Sequence, residues 1–394
     1  MNKKEYKKLF KEKLAEMPRV EFHILIVTIL LCCYGAIMIC SATGSMKETF
    51  GHIRFIVLGI VAILAFQFIN YHLLSKMVFA IYAFGIGCIL LLKTGMGVDV
   101  NGATRWLNLF GFQFQVAEPV KVCVIIMLAW MVWKYYGTRN KAMLTLYCWL
   151  LGGFPALLLL VISNDLSSGI VVLGITFVIT LMSTETFKLH AGIFGAAMLV
   201  VGGYVLSIAN NMPSEADIGE LPFRVRRIAA WIDPYRYDKE GHQIRQSLYA
   251  IGSGGIWGKH LGMSVQKTGT LPEAETDFIL AVLCEELGIF GLCLLLLMLG
   301  VLLYYIYTVA ISYKKSIFGR VLCIGVFAHL SIQALINLSV VTGIFPNTGL
   351  PFPFMSSGGT SLLCYMGEIA LVISVERRSV IEEVKKSMKE SNDS

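Results

Sequence analysis

Apolar residues along this chain gather into runs of about twenty, separated by short polar segments. A helix of about 20 residues is long enough to cross roughly 30 Å of hydrocarbon, because each residue adds about 1.5 Å. The pattern predicts ten membrane-spanning helices, at 22–41, 53–69, 73–92, 119–136, 143–162, 166–183, 189–208, 278–308, 320–345 and 357–376. The predicted fold class is therefore an all-α polytopic membrane protein.

Composition agrees with this prediction. Of 394 residues, 56% are hydrophobic and only 15% are charged, whereas soluble domains carry about a quarter charged residues. The net charge of +7 does not indicate nucleic-acid binding, because most of the excess lies in short segments between the apolar runs. That distribution is typical of loops that stay on the cytoplasmic side of a membrane.

The distribution of Lys and Arg among the loops predicts the orientation of the chain in the membrane. With both termini cytoplasmic, the inner segments carry 20 of these residues and the short outer loops carry five. The other eight lie in residues 209–276, which become one large extracytoplasmic loop between the seventh and eighth helices. The predicted division is a basic cytoplasmic segment at 1–21, a membrane domain at 22–376 and a cytoplasmic tail at 377–394.

Three segments outside the apolar runs have helical patterns. Residues 3–13 predict either a helix on the inner leaflet or a solvated basic tail. Residues 223–232 carry an apolar stripe flanked by arginines, which predicts a helix in the outer interface with Trp231 at headgroup depth. Residues 243–251 predict another helix, and the glycine-rich residues 252–255 after it predict a flexible segment.

The eighth apolar run is too long for one membrane crossing. Residues 277–308 would form about 48 Å of helix, so we expect only 287–308 to be immersed, with 277–286 projecting into the outer interface or a watery cavity. In the ninth run, His329, Gln333 and Asn337 recur every four residues. This stripe predicts hydrogen bonds between helices within the bundle.

Carboxylates cluster just before the eighth run, where residues 271–278 read LPEAETDF. Repulsion among Glu273, Glu275 and Asp277 should raise the pKa of at least one of them, which suits a general base. The alternative is structural, with Thr276 or Asp277 capping the next helix. Oxygen ligands of this kind also suit a divalent cation such as Mg or Mn, although their spacing does not require one.

Residues 271–288 closely resemble a motif of the SEDS (shape, elongation, division, sporulation) family, LPEAHTDFIFAVxxEELG. Other matches follow in the family's order: Ser41-Ala42 for SAS or SAT, 102–106 for GAxRW, Asp165-Leu166 for DLG, 246–255 for QSLxAIGSGG, 262–267 (GMSVQK) and 353–359 (PFMSSGG). The resemblance covers nearly the whole chain after residue 20. GMSVQK and the Asp233-Pro234 turn resemble the FtsW/SpoVE branch more than the RodA branch.

The chain departs from the family's pattern at three motifs. QPSExxK appears as QVAEPVK, in which Glu118 and Lys121 keep their spacing although the proline has moved. SYGG appears as SSGG, and DLG appears as DLS. These changes affect the expected local backbone rather than the charged groups.

The resemblance implies a peptidoglycan glycosyltransferase that polymerises lipid II at the outer face of the bacterial cytoplasmic membrane. The GlcNAc 4-hydroxyl of lipid II would attack the terminal MurNAc C1 of a polyprenyl-pyrophosphate-linked glycan strand, with inversion. Asp277 is the expected general base. The expected substrate-binding residues are Lys121 and Arg105 for the pyrophosphate, Arg54 and Arg224 as weaker candidates, and Glu118, Glu273, Ser356 and Ser357. For Lys121, a structural ion pair with Glu118 is the alternative.

The family also implies a partner, a class B penicillin-binding protein that supplies transpeptidation. Two other functions remain open. Intramembrane charge at Glu118, Lys121 and Asp165 is also typical of a transport pathway, so a lipid II flippase is one alternative. A non-catalytic scaffold for division or sporulation is the other, and the resemblance does not separate roles in division, elongation and sporulation.

Overall fold

The computed structural model describes residues 20–100, 103–109, 112–137, 139–267, 271–312 and 316–393. Twelve α-helices follow in chain order: α1 Val20–Thr43, α2 Met46–Phe66, α3 His72–Leu91, α4 Ala117–Tyr135, α5 Lys141–Ile162, α6 Leu166–Thr184, α7 Phe187–Asn210, α8 Phe223–Ile232, α9 His242–Gly254, α10 Ile279–Ser312, α11 Ile317–Val341 and α12 Gly359–Asp393. The ten long helices correspond to the ten predicted spans. The basic segment 3–13 lies outside the described residues.

Nine helices in the described part of the chain are long and apolar enough to cross a membrane. The remaining long helix, α4, has 19 residues and carries Glu118, Lys121 and Lys134. Lys121 and Glu118 are fully buried in the bundle, so α4 is shielded by the surrounding helices rather than by its own apolar surface. The polytopic helical fold is confirmed.

A small antiparallel sheet, which was not predicted, separates α3 from α4. Its strands are β1 Gly97–Val100, β2 Ala103–Leu109 and β3 Phe112–Gln115, in the order β1-β2-β3. Trp106 pairs with Val98 on one side and with Gln115 on the other. The GATRW motif therefore lies largely on the central strand, which holds Arg105 in a fixed direction.

Helix α10 is broken at Gly288, whose φ of 65° and ψ of −165° are not helical. The stretch from Ile289 to Ser312 has 24 residues, about 36 Å, which fits a hydrocarbon core of roughly 30 Å. This break agrees with the expectation that immersion begins near residue 287. The stretch 279–286 extends beyond this break, and its side chains are buried by protein instead of facing a watery cavity.

Glu285 and Glu286 bind the end of the long loop to α10. Glu285 accepts hydrogen bonds from Ser264 Oγ at 2.5 Å and Lys259 Nζ at 2.9 Å. Glu286 accepts from Lys267 Nζ at 2.6 Å and from Ser41 Oγ at 2.5 Å. Both carboxylates are fully buried, so the lysines and hydroxyls compensate for the loss of water.

Protein covers much of the apolar stripe of helix α8. Its apolar stripe packs into a small separate core made of Ile208, Ile218, Ala229, Ala230 and Tyr237, with Met212, Val225 and Ile228 against it. Trp231 Nε1 donates to Gly343 O at 2.9 Å. The stripe therefore packs mainly on protein, and the placement of α8 at the outer interface stays a prediction. The prediction that residues 252–255 form a flexible segment is wrong, since α9 continues to Gly254.

Candidate active site

A cavity of about 560 Å³ lies where β2, α8, α9 and the segments before α10 and α12 meet. Acidic, basic and amide side chains share its wall with a few aromatic rings. The lining includes Arg105, Trp106, Gln115, Phe223, Arg226, Arg227, Lys239, Glu240, Gln243, Glu273, Thr276, Asp277, Asn347, Gly349, Ser357 and Ser361. The candidate base and three arginines therefore face one space.

Asp277 lies in a turn two residues before α10 begins, not inside the helix. The structure does not support the capping alternative, because Thr276 Oγ1 donates back to the Glu273 carboxylate at 2.8 Å. Within the described chain, no hydrogen bond or ion pair engages the Asp277 carboxylate itself. The group is left available to whatever enters the cavity.

The backbone around Asp277 is fixed from two sides. Asn337 Nδ2, from α11, donates to Asp277 O at 2.8 Å and to Leu350 O at 2.7 Å. Ser356 Oγ donates to Thr276 O at 2.6 Å, and Ser357 N donates to Glu275 O at 2.8 Å. The two motifs, 271–278 and 350–357, are thus bound to each other, and the position of the carboxylate does not depend on one flexible loop.

Burial, and then repulsion by the nearby Glu273 carboxylate, raises the pKa of Asp277 from 3.8 to about 7. Arg227 and Arg105 act in the opposite direction, while Asp165 adds to the increase. A carboxyl with a pKa near the working pH can both accept and release a proton, which is the property of an efficient general base. The sequence expectation of one raised carboxyl pKa is met at this residue.

Arg105 is aimed into the cavity by Asp165. The Asp165 side chain caps α6 by accepting from Ser168 N at 3.1 Å and from Ser168 Oγ at 2.8 Å. Arg105 Nε lies 3.9 Å from Asp165 Oδ2 and has no hydrogen-bond partner within the described chain. The guanidinium therefore keeps unused donor capacity beside Asp277.

Gly349 lies between the Arg105 guanidinium and the Asp277 carboxylate. A Cβ atom at this position would lie 3.1 Å from Arg105 Nη1 and 3.3 Å from Asp277 Oδ2, and its φ of +70° also favours glycine. Only a residue without a side chain allows the arginine and the carboxylate to approach the same small volume.

Arg227 is a site residue that sequence reasoning missed. Its Nη1 donates to Asn347 O at 2.8 Å, and its guanidinium lies 4.2 Å from the Phe223 ring centroid. Burial, and then repulsion by Arg105, lowers the pKa of Arg227 to about 10, so it still carries its charge at neutral pH. Arg224, the residue predicted from the sequence, instead donates to Leu160 O at 3.0 Å and does not line the cavity.

Lys121 and Glu118 do not line the cavity. Lys121 Nζ donates to Glu118 Oε1 and to Gln333 Oε1, each at 2.7 Å, and both charged side chains are fully buried. Gln333 in turn donates to Pro351 O at 3.2 Å, on the cavity wall. The structure corrects the prediction of direct substrate contact, because the ammonium is already paired one side chain behind the wall.

The polar stripe of α11 forms the predicted hydrogen bonds between helices. His329 Nδ1 lies 2.8 Å from Glu368 Oε1, and His329 Nε2 lies 2.9 Å from Gln333 Oε1. Together with Lys121 and Glu118, these groups form a continuous buried network across α4, α11 and α12. That prediction is confirmed.

The other predicted site residues divide between the cavity and its surroundings. Glu273 and Ser357 line the cavity. Ser356 is buried behind it and bonded to the backbone, while Arg54 is exposed on α2, away from the lining. Arg54 and Ser356 therefore do not line this cavity, and their contact with the substrate stays a prediction.

No group of three or more His, Cys, Asp or Glu side chains converges on a possible metal position in the described ranges. Glu273, Glu275 and Asp277 thus do not form a three-carboxylate cage. A Mg or Mn ion shared between Asp277 and substrate oxygens stays a prediction, consistent with the preference of these ions for one or two carboxylates plus phosphates.

A helical bundle with several apolar spans, and with an aspartate and several arginines lining one cavity, defines an integral membrane protein with a candidate site for a charged ligand. The chain matches a family model described as "Cell cycle protein" (FTSW_RODA_SPOVE) over residues 22–380. The protein belongs to this FtsW/RodA/SpoVE family, which is the family of the sequence resemblance.

Named relatives agree. The chain is 31% identical over 378 residues to a "Probable peptidoglycan glycosyltransferase FtsW" of Geobacter sp. (strain M18), covering 92% of this chain and 99% of the relative. It is 32% identical over 375 residues to "Stage V sporulation protein E" of Bacillus subtilis (strain 168), covering 90% and 96%.

Two solved structures are similar in fold. One, described as "Structural coordination of polymerization and crosslinking by a peptidoglycan synthase complex", has a TM-score of 0.74 at 25% identity and covers 91% of this chain and 98% of that chain. The other is the rod shape determining protein RodA of Thermus thermophilus, with a TM-score of 0.63 at 24% identity, covering 90% and 96%. The second likeness concerns the fold alone.

The Lys121–Glu118 pair should behave as a structural unit. Removing one partner leaves an uncompensated buried charge, which typically costs about 3–5 kcal/mol. We expect Lys121→Met and Glu118→Gln each to lower the unfolding temperature in detergent, and the double variant to recover part of the loss. A Lys121→Met protein of normal stability with weakened substrate binding would instead assign Lys121 to the substrate.

Asp277→Asn should stabilise the fold in a pH-dependent manner. The folded-state pKa of about 7 exceeds the ordinary 3.8, so the wild-type fold favours the protonated carboxyl and loses stability as pH rises from about 4 to about 7. Asparagine does not titrate. Thermal unfolding in detergent from pH 5 to 8 should show a difference between the two proteins that widens with pH and becomes constant above 7. A constant difference throughout would contradict the raised pKa.

Proposed function

We propose that this protein polymerises lipid II into glycan strands by an inverting glycosyl transfer in which Asp277 is the general base. Membership of the family, together with the names of its relatives, makes the chain a peptidoglycan glycosyltransferase. The observation that carries the mechanism is the Asp277 carboxylate, unpaired within the described chain, raised in pKa and directed into a cavity that it shares with arginines. Such a group has few structural uses.

In the proposed reaction, Asp277 takes the proton from the GlcNAc 4-hydroxyl of one lipid II. The oxygen forms a bond to C1 of the terminal MurNAc of the glycan strand on the face opposite the pyrophosphate. The bond from C1 to the pyrophosphate oxygen breaks, and the polyprenyl pyrophosphate leaves with the electron pair. One displacement inverts the configuration, so a single catalytic carboxylate is sufficient.

The departing pyrophosphate needs positive charge. Arg227 and Arg105 both line the cavity, and the positive charge of each lowers the pKa of Asp277. Guanidinium groups bind phosphate oxygens through paired hydrogen bonds, and a low-dielectric cavity strengthens the attraction. We assign the pyrophosphate to Arg105 and Arg227, in place of the buried Lys121.

The asymmetry of Lys and Arg along the chain supports cytoplasmic termini. In that orientation the long loop and the cavity face the outer surface of the cytoplasmic membrane. The lipid-linked substrates would then enter from the outer leaflet, with their sugars in water and their prenyl chains in hydrocarbon.

A crosslinking partner is part of the proposal. The similar solved structure described above concerns a synthase complex that coordinates polymerisation with crosslinking. By this likeness we expect a class B penicillin-binding protein to bind this chain and to supply transpeptidation.

Asp277→Asn should reduce polymerisation of lipid II by about 10²–10⁴-fold, the usual contribution of a general base. Purified wild-type protein with its partner should polymerise lipid II in detergent, with a rate that rises tenfold per pH unit below 7 and then levels off. This slope follows because the base must be ionised. Gel separation of glycan strands measures the product.

The alternatives give different results in the same assay. A flippase makes no strands in detergent, where no bilayer separates two faces. A scaffold tolerates Asp277→Asn in cells. Full activity of the variant in vitro would remove Asp277 from the mechanism even if the wild-type protein were a polymerase.

Arg227 and Arg224 form a matched pair for the pyrophosphate assignment. Arg227→Gln should raise the KM for lipid II and lower kcat, because its guanidinium lines the cavity and Arg224 does not. Arg224→Gln keeps the same change of charge three residues away and should leave both constants near wild type. Equal defects in the two variants would point to general loss of positive charge instead of a specific site.

A further inference from the structure

A loop with an unusually apolar surface follows α9. This segment, residues 255–265, which we call the apolar loop, exposes Ile256, Trp257, Leu261, Met263 and Val265. Trp257 is 76% exposed and Met263 is 66% exposed. Large apolar side chains grouped in this way are rare on water-facing surfaces and usually indicate a contact with lipid or protein.

The apolar loop is fastened to the broken point of α10. Ile289 N donates to Gly255 O at 3.0 Å, and Phe290 N donates to Ile256 O at 3.2 Å. The rings of Trp257 and Phe290 lie 5.8 Å apart. The loop therefore begins beside the first turn of the stretch that spans the membrane.

Its position relative to the bilayer follows from the length of that stretch. The 24 residues from Ile289 to Ser312 are about as long as the hydrocarbon core is thick, so Ile289 lies near one boundary of the core. Ile289 and Phe290 are 55% and 60% exposed, as expected of lipid-facing residues. The apolar loop continues this lipid-facing surface.

We infer that the apolar loop inserts Ile256, Trp257, Leu261 and Met263 into the outer leaflet. Tryptophan favours the boundary between headgroups and acyl chains. The exposed His260 of the same loop can reach the phosphates above the apolar layer.

The insertion also fixes the depth of Asp277 relative to the outer leaflet. This second part of the inference rests on the proposed function. Lys259 and Ser264 hold Glu285, and Lys267 holds Glu286. These two glutamates belong to the buried stretch of α10 that starts two residues after Asp277. Because the substrates hang from the same leaflet, a fixed depth keeps the carboxylate level with the sugars that react.

Fluorescence quenching tests the insertion itself. The whole protein is placed in vesicles of phosphatidylcholine brominated near the top of one acyl chain, in which bromine quenches nearby tryptophans. Trp257→Phe should lower the quenched fraction of the emission. Trp231→Phe is the matched control: Trp231 is bonded to Gly343 O within the protein, so its removal should raise the quenched fraction.

An equal or higher quenched fraction in Trp257→Phe would overturn the inference. So would loss of the Trp257 quenching when the class B penicillin-binding protein is reconstituted together with the chain, because the surface would then be a protein interface. Quenching that persists with the partner present supports the lipid assignment.

Activity tests the depth separately. Trp257→Gln should lower kcat/KM for lipid II severalfold in vesicles and leave it unchanged in detergent, where no leaflet sets a height. Equal activity of the variant and the wild type in both media would overturn the role in positioning. An inactive wild-type protein in both media would count against the proposed function instead, while the quenching result would still decide the insertion.

Discussion

An ionised group inside a membrane bundle must find a partner, because the surrounding medium stabilises charge far less than water does. The network of Lys121, Glu118, Gln333, His329 and Glu368 meets this requirement across three helices. It binds α4, α11 and α12 together and, through Gln333 and Pro351, supports one wall of the cavity. The same physical rule distinguishes Asp277, since a carboxylate without such a partner has its pKa displaced toward neutrality.

The cavity is assembled from parts of the chain that are far apart in sequence. Arg105 comes from the sheet after α3, Arg227 from α8, and Asp277 from the turn before α10. Asn337 and Ser356 fix the backbone on which Asp277 sits. A site built from a strand, helix ends and hydrogen-bonded turns keeps its geometry without a bound ligand, which is the arrangement that electrostatic catalysis requires.

Much of this could be predicted from the sequence. The ten apolar runs gave the bundle, because the thickness of the membrane imposes helix length directly. Asp277 and Arg105 were identified from local motifs. The sheet was not predicted, because its strands are short and lie between two spans that dominate the pattern. The ion pair of Lys121 with Glu118 could be read from their spacing, but a one-dimensional pattern does not show that Gln333 from α11 and the surrounding helices bury the pair behind the cavity wall.

Two further differences have the same origin. The apolar stripe of α8 has the pattern of an interfacial helix, but amphipathic spacing does not tell whether lipid or protein covers the stripe. Three arginines occur between Phe223 and Ile228, and the sequence does not show which of them is held at the cavity. The hydrogen bond from Arg227 to Asn347 O identifies Arg227. Tertiary contacts, not local composition, assign these roles.

The modest size of the cavity limits which parts of the substrates can contact its wall. About 560 Å³ is the volume of a site for a drug-sized ligand, much less than two lipid-linked muropeptides would fill. Only the sugars and phosphates at the point of bond exchange fit inside. The stem peptides and the growing chain therefore extend beyond the walls of this cavity, so the residues that line it do not select among wall peptides of different composition.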